Sequence, residues 1–371
     1  MLYKRMPIEK ESPEEKGYDT IEFNLAESSV TDMAFGEMKF ELHDLKLAYT
    51  EHRGKRRLRQ LIIKDSRVLG EDDVLVTNGA AGALFIINSS LLNPCDHLIV
   101  LRPNYSTNIE VPRTIGCAIS YIDLQFEQGW ELDVDLVLAA IKPETKLISI
   151  TTPHNPTGML IPENKLDALI AIAEERQIFV LIDETYRDTC FKTPYGICAE
   201  KSSQVISVAS VSKMYGLPGL RTGWLISTNP ALMELFLAAK EMIYITNSAL
   251  DEEIVYQFLL AKEPWASLIN QQCSENFEIL KKWLSQESRL ECILPEGGVV
   301  CFPRFTQEIR INAGLFYQTL ARDYKTMVGP GHWFEMPDRH MRIGFGWNSP
   351  SIFGQGLRNI SSAIDDVMER T

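Results

Sequence analysis

Long apolar runs are missing from this chain: no stretch approaches the roughly 18 consecutive apolar residues a membrane-crossing helix needs, so a membrane-spanning role is not expected. Paired cysteines of the C-x-x-C kind are missing too. The seven cysteines (Cys95, Cys117, Cys190, Cys198, Cys273, Cys292 and Cys301) are odd in number and widely spaced. That pattern points to free thiols in a reducing compartment rather than to a disulfide framework. The six histidines form no H-E-x-x-H or comparable ligand set, so no metal is expected. Positive charge is in short supply, with 37 Lys and Arg against 50 Asp and Glu, a net charge of -13. Such a surface repels nucleic acid and anionic membranes, although a local site can still oppose the global sign. The N-terminal MLYKRMPIEKESPEEKGYD holds no apolar stretch of signal-peptide type, and a cytoplasmic location is expected. Internal repeats and low-complexity tracts are also lacking.

What is present is a chain of 371 residues, too long for one ordinary core, so two domains are expected. The first 20 or so residues are charged, contain proline and show no periodicity, and read as an arm ordered against another part of the molecule. From Leu45 the pattern predicts a helix, a break at Gly54, then an amphipathic helix. From about residue 72, strands and helices alternate. Residues 74–77, 97–101, 146–151, 178–182 and 205–208 are short apolar runs, and residues 164–176 have helical periodicity. Runs that are apolar on both faces imply a mostly parallel sheet with helices on both sides, an α/β fold. After about residue 255 long helical patterns and a few strands suggest a smaller α+β domain. The expected division is an arm with part of the small domain over 1–44, a large domain over 45–255, and a small domain over 256–371.

Every polar or glycine-rich cluster of interest follows one of these strands, the edge at which open α/β sheets bind ligands. Ser210-Val-Ser212-Lys213 follows the run 205–208. A lysine there is placed to be desolvated, which lowers an ammonium pKa and makes the amine nucleophilic toward an aldehyde. Eight residues on, Arg221 offers a fixed cation suited to phosphate. Asp183 ends the run 178–182. A carboxylate at that depth needs a partner, either a cationic ring nitrogen or the N-terminus of the next helix. Residues 153–158, Pro-His-Asn-Pro-Thr-Gly, make a turn after a strand. In Asn78-Gly79-Ala80-Ala81 small residues let backbone N–H groups approach an anion at a helix start. Arg342 lies inside an apolar run and calls for an anionic partner.

The segment S-x-S-K with arginine eight residues later, inside K-x-x-G-L-P-G-L-R-x-G, resembles the class I/II aminotransferases of pyridoxal-phosphate (PLP) fold type I, and the resemblance runs over about residues 25–365. It implies that Lys213 holds PLP as a Schiff base and shuttles the proton between the substrate's Cα and the cofactor. It implies that Arg221, Ser210, Ser212 and the Gly79-Ala80-Ala81 turn bind the phosphate, and that Asp183 meets the pyridine nitrogen. In the family's D-E-x-Y and N-P-x-G patterns, Tyr186 and Asn155 bond the ring's phenolate oxygen. Tyr105 would stack on the ring, and Arg342 would grip the substrate α-carboxylate. Tyr49 matches a tyrosine that reaches a neighbouring subunit's phosphate, which implies a homodimer with shared active sites. Where many relatives carry an acidic or amide residue, this chain has Gly82. The implied activity is transamination between an amino acid and a 2-oxo acid; a C–S lyase or a replacing or cyclising enzyme would use the same residues. Glu27 is unusual for its place and is expected to face a cationic substrate side chain, unless it is a solvated glutamate or a helix cap. Residues 297–305 and 331–344 also resemble the capreomycidine synthase branch. His332 and Trp333 are expected at the entrance.

Overall fold

The structure, a computed structural model, describes residues 1–189 and 196–370. Cys190 lies outside the described residues, and the other six cysteines are unpaired.

Seven strands build the central sheet: β1 (Val74–Asn78), β2 (His97–Arg102), β3 (Ala118–Asp123), β4 (Thr145–Thr151), β5 (Phe179–Asp183), β6 (Val205–Ser210) and β7 (Thr222–Ile226). Their order is β1-β7-β6-β5-β4-β2-β3. Only β7 runs against its neighbours, and the other pairings are parallel. The predicted α/β class therefore holds. Alternate residues feed two different cores. Leu75, Leu147, Leu181 and Ile206 pack with Leu84 and Phe236 on one face, while Ile148, Ile150, Val180 and Ile182 pack with Leu166 and Leu169 on the other. Burying both faces explains the continuous apolar runs.

Early and late segments meet beside this sheet. Phe23–Asn24 pairs in parallel with Thr326–Met327. Val300–Cys301, Met341–Gly344 and Gly329–Pro330 form a small antiparallel sheet. The backbone at 25–27 lies directly on the strand that carries Arg342: the Gly344 amide donates to the Leu25 carbonyl at 2.8 Å. A Cβ on Gly344 would sit 1.7 Å from the Glu27 carbonyl oxygen, so no side chain fits there.

One predicted element is absent. Residues 45–53 form no helix, and the helix that does form, Arg56–Ile62, begins only after Gly54. Leu47 and Tyr49 are each 83% exposed, so that stretch has no apolar face packed on a core to hold it helical. Among the described residues no helix is long and apolar enough to cross a membrane, and no cluster of His, Cys, Asp and Glu could hold a metal ion.

Candidate active site

The carboxyl ends of β1, β4, β5 and β6 open onto a cavity of about 410 Å³. Among its lining residues are Ala80, Ala81, Tyr105, Asn155, Asp183, Tyr186, Ser210, Ser212, Lys213 and Arg221, together with Glu27 and Arg342 from the segments beside the sheet. Gly79 and Tyr49, both expected at the site, do not line it. Gly79 stands behind it, and Tyr49 is on the surface.

One end of the cavity is built for an anion. Helix Gly79–Leu91 begins straight after β1, so the first-turn amides at Ala80 and Ala81 have no carbonyl of their own helix to bond. Ser210 and Ser212 close the same end from β6 and the turn after it. Arg221 holds a left-handed backbone, φ 45°, its Nη1 donates to the Pro218 carbonyl at 2.9 Å, and its guanidinium lies over Gly79. A Cβ on Gly79, whose φ is 68°, would come 2.8 Å from Arg221 Nη2, so glycine there keeps the arginine close to the helix start.

Asp183 sits at the floor, 5% exposed. Thr185 donates to its Oδ1 twice, from the amide at 3.0 Å and from the hydroxyl at 2.6 Å. Burial pushes the Asp183 carboxyl up, and the two Thr185 bonds pull it back. Its second oxygen has no bonding partner among the described residues and is left for a cation in the cavity. Thr185 was not foreseen; the hydroxyl two residues after the strand-end carboxylate was the available signal.

Lys213 is partly buried, and its amine makes no hydrogen bond or ion pair with another described residue. Burial pushes that amine below its ordinary value. Glu27 and Glu14 pull it back up, while Arg342 and Arg221 push it further down. Arg342 is held on three sides: Nη1 donates to Asn155 Oδ1 at 3.1 Å, Nη2 to the Ala26 carbonyl at 2.6 Å, and the guanidinium lies 5.0 Å from the Phe334 ring centre. Its Nε is buried without a partner. The Tyr186 hydroxyl donates to the Ser28 carbonyl at 2.9 Å. Tyr105 is fixed from behind by Asn104, whose Oδ1 accepts from the Tyr105 amide at 2.8 Å and from Thr151 Oγ1 at 3.1 Å.

Trp333 lines the cavity as expected, and His332 lies outside it. The N-terminal arm is ordered across the cavity mouth, and Ser12, Glu14 and Tyr18 line it together with Asp32. Nothing local in the sequence marks these residues, because their place is set by contacts more than 300 positions away.

A family model described as aminotransferase class I and II matches residues 40–351. Capreomycidine synthase of Streptomyces vinaceus is 28% identical over 362 residues, covering 92% of this chain and 89% of the synthase. Arginine–pyruvate transaminase of Pseudomonas aeruginosa is 26% identical over 259 residues, covering 68% of this chain and 66% of the transaminase. Among solved structures, a PLP-dependent aminotransferase from Streptococcus suis superposes with a TM-score of 0.87 at 23% identity, covering 99% of both chains, a likeness of fold.

Proposed function

Because the chain belongs to the aminotransferase class I and II family, we propose that it moves an amino group from an amino acid to a 2-oxo acid, with Lys213 as its central residue. The family's cofactor is pyridoxal phosphate, and the residues present fit it. The cavity offers an anion end at Ala80, Ala81, Ser210, Ser212 and Arg221, an unpartnered amine, and a buried carboxylate with one free oxygen. When bound, that cofactor supplies an aldehyde that takes up amines and a cationic ring that draws electrons from the substrate's Cα.

The chain's own groups divide the work. Lys213 is the residue that would hold the cofactor through its amine, and the same amine would carry the proton at the substrate's Cα. Its lowered pKa favours the neutral form that both tasks need. Asp183 would hold a ring nitrogen in its protonated form, and Asn155 and Tyr186, whose hydroxyl donates to the Ser28 carbonyl in the chain alone, would offer donors to the ring's oxygen. Tyr105 would cover the ring. Arg342 receives the substrate carboxylate with donors already oriented by Asn155 and Ala26. Glu27 favours a cationic side chain. The observation that carries the proposal is the Lys213 amine, unpaired among the described residues, in one cavity with Asp183 and Arg342.

A second outcome has its own support. Capreomycidine synthase is similar over most of the chain, and a cyclising or lyase reaction would begin with the same proton removal. Incubation of loaded protein with an amino acid and no oxo acid separates the two. Transfer should stop after one oxo acid per site and restart when an acceptor is added. Continuous product formation without an acceptor would rule transfer out in favour of cyclisation or elimination.

Tyr49 is assigned to a neighbouring subunit's phosphate site in a homodimer. Leu47, Tyr49 and Met242 are 83%, 83% and 89% exposed, and loop and helix are tied together where Lys240 Nζ donates to the His52 carbonyl at 2.6 Å. A second copy covering this apolar surface would remove it from water. Light scattering should give twice the 42.1 kDa chain mass; a monomer at micromolar concentration would remove the shared site.

A further inference from the structure

The outer half of the cavity is built by a segment to which no role above is assigned. Helices Pro7–Glu11 and Pro13–Lys16 and the turn Tyr18–Thr20 cross the mouth. At their junction Ser12 is 5% exposed, occupies the N-cap position of the second helix, and makes no cap bond. Its hydroxyl oxygen is buried in the cavity wall with no partner among the described residues. Buried hydroxyls are nearly always bonded, so this one points to a ligand.

Glu14, Glu27 and Asp32 line the same half, and none has an ion pair with a described residue. Two of them are aimed by one aromatic pair. Tyr18 donates to Glu27 at 3.1 Å, Trp347 donates to Asp32 at 3.2 Å, and the two rings stack 6.1 Å apart. The arm is fastened down. Trp333 Nε1 and His332 Nε2 each donate to Glu11 Oε2 at 2.8 Å, and His332 Nδ1 bonds Asp338 at 2.8 Å. The same Trp333 ring lies 5.9 Å from the Arg342 guanidinium. A ligand whose carboxylate is held at Arg342 and whose amine is at Lys213 extends its side chain toward this wall. A neutral or acidic side chain leaves unneutralised carboxylates facing it, and a cation meets all three.

We propose that the arm is the selectivity wall of this site. Glu14 and Asp32 join Glu27 in receiving the cationic end of a basic amino acid, Ser12 adds a hydrogen bond, and Glu11 is a positioning residue that holds the wall to the Arg342 side. The inference rests on the proposed roles of Lys213 and Arg342.

Arginine and citrulline share length and shape and differ in charge. Titrating the loaded protein with each, without oxo acid, gives two dissociation constants. Arginine should bind about tenfold more tightly, with each carboxylate at this wet mouth contributing about 1.5- to 5-fold. Glu14→Gln and Asp32→Asn should each lower the preference by that factor, and the double variant should lower it further. Glu15→Gln, outside the cavity, should leave it in place. Glu11→Ala frees the wall without touching the ligand and should lower the preference as well. Glu11→Gln can still accept from Trp333 and should restore part of it. Equal binding of the two amino acids, or a preference that survives the double variant, overturns the inference. Binding of acidic or aromatic amino acids but of neither test ligand overturns it alone. Failure of every amino acid to bind overturns the proposed function and takes this inference with it.

Discussion

Replacing Lys213 with alanine should lower kcat by about 10³-fold or more, since a positioned acid–base group alone contributes about 10² to 10⁴ and this residue is also the nucleophile. Lys213 lies three residues past the end of β6, sits in the cavity with no partner among the described residues, and has its pKa lowered by burial. Among the described residues no other lysine lines the cavity. Lys240 is also buried and pushed down to about 8, but its amine is spent on the His52 carbonyl. Lys213→Arg, which keeps the charge and loses the nucleophilic amine, should be equally inactive. Steady-state kinetics on both variants checks this, and a loss below about tenfold in either would remove Lys213 from the chemistry.

Asp183→Asn should give the second largest loss, about 10²- to 10³-fold in kcat, the scale on which one preorganised electrostatic group acts in a dry site. Asparagine has nearly the same shape and can still accept from Thr185, so the fold should survive; what goes is the negative charge. In the chain alone that charge is costly, and burial pushes the carboxyl up. A cationic ring nitrogen would reverse the effect, so cofactor and carboxylate should stabilise each other. Loading with cofactor should therefore raise the melting temperature of the wild type by more than that of Asp183→Asn. An equal rise in both, with kcat retained, would place the ring nitrogen elsewhere.

Much of the site could be read from the chain because it is local. Asp183 ends a strand whose two buried faces leave a plain apolar run, and Lys213, Asn155 and Ala80 each stand within a few residues after such a strand. Strands without that signature were missed. Ala118–Asp123 is an edge strand with only Ile122 fully buried. Thr222–Ile226 follows so closely on the turn at Arg221 that its start reads as part of a glycine turn. The helix expected from Leu45 failed for the opposite reason: its apolar residues have no core to face. Glu27 stood out only against the small residues that similar proteins carry at its place, and the structure does bring it to the cavity. Ser12, Glu14 and Asp32 could not, because only the fold of the arm against Trp333 and Trp347 brings them there.

The Lys213 amine should be the one that holds the cofactor. Borohydride reduction of the loaded protein, followed by digestion and mass spectrometry, reads this directly. The cofactor's mass should appear on the peptide containing Lys213 and on no other. Finding it on another lysine, Lys240 included, or finding no attached cofactor in protein that binds it, would contradict the account.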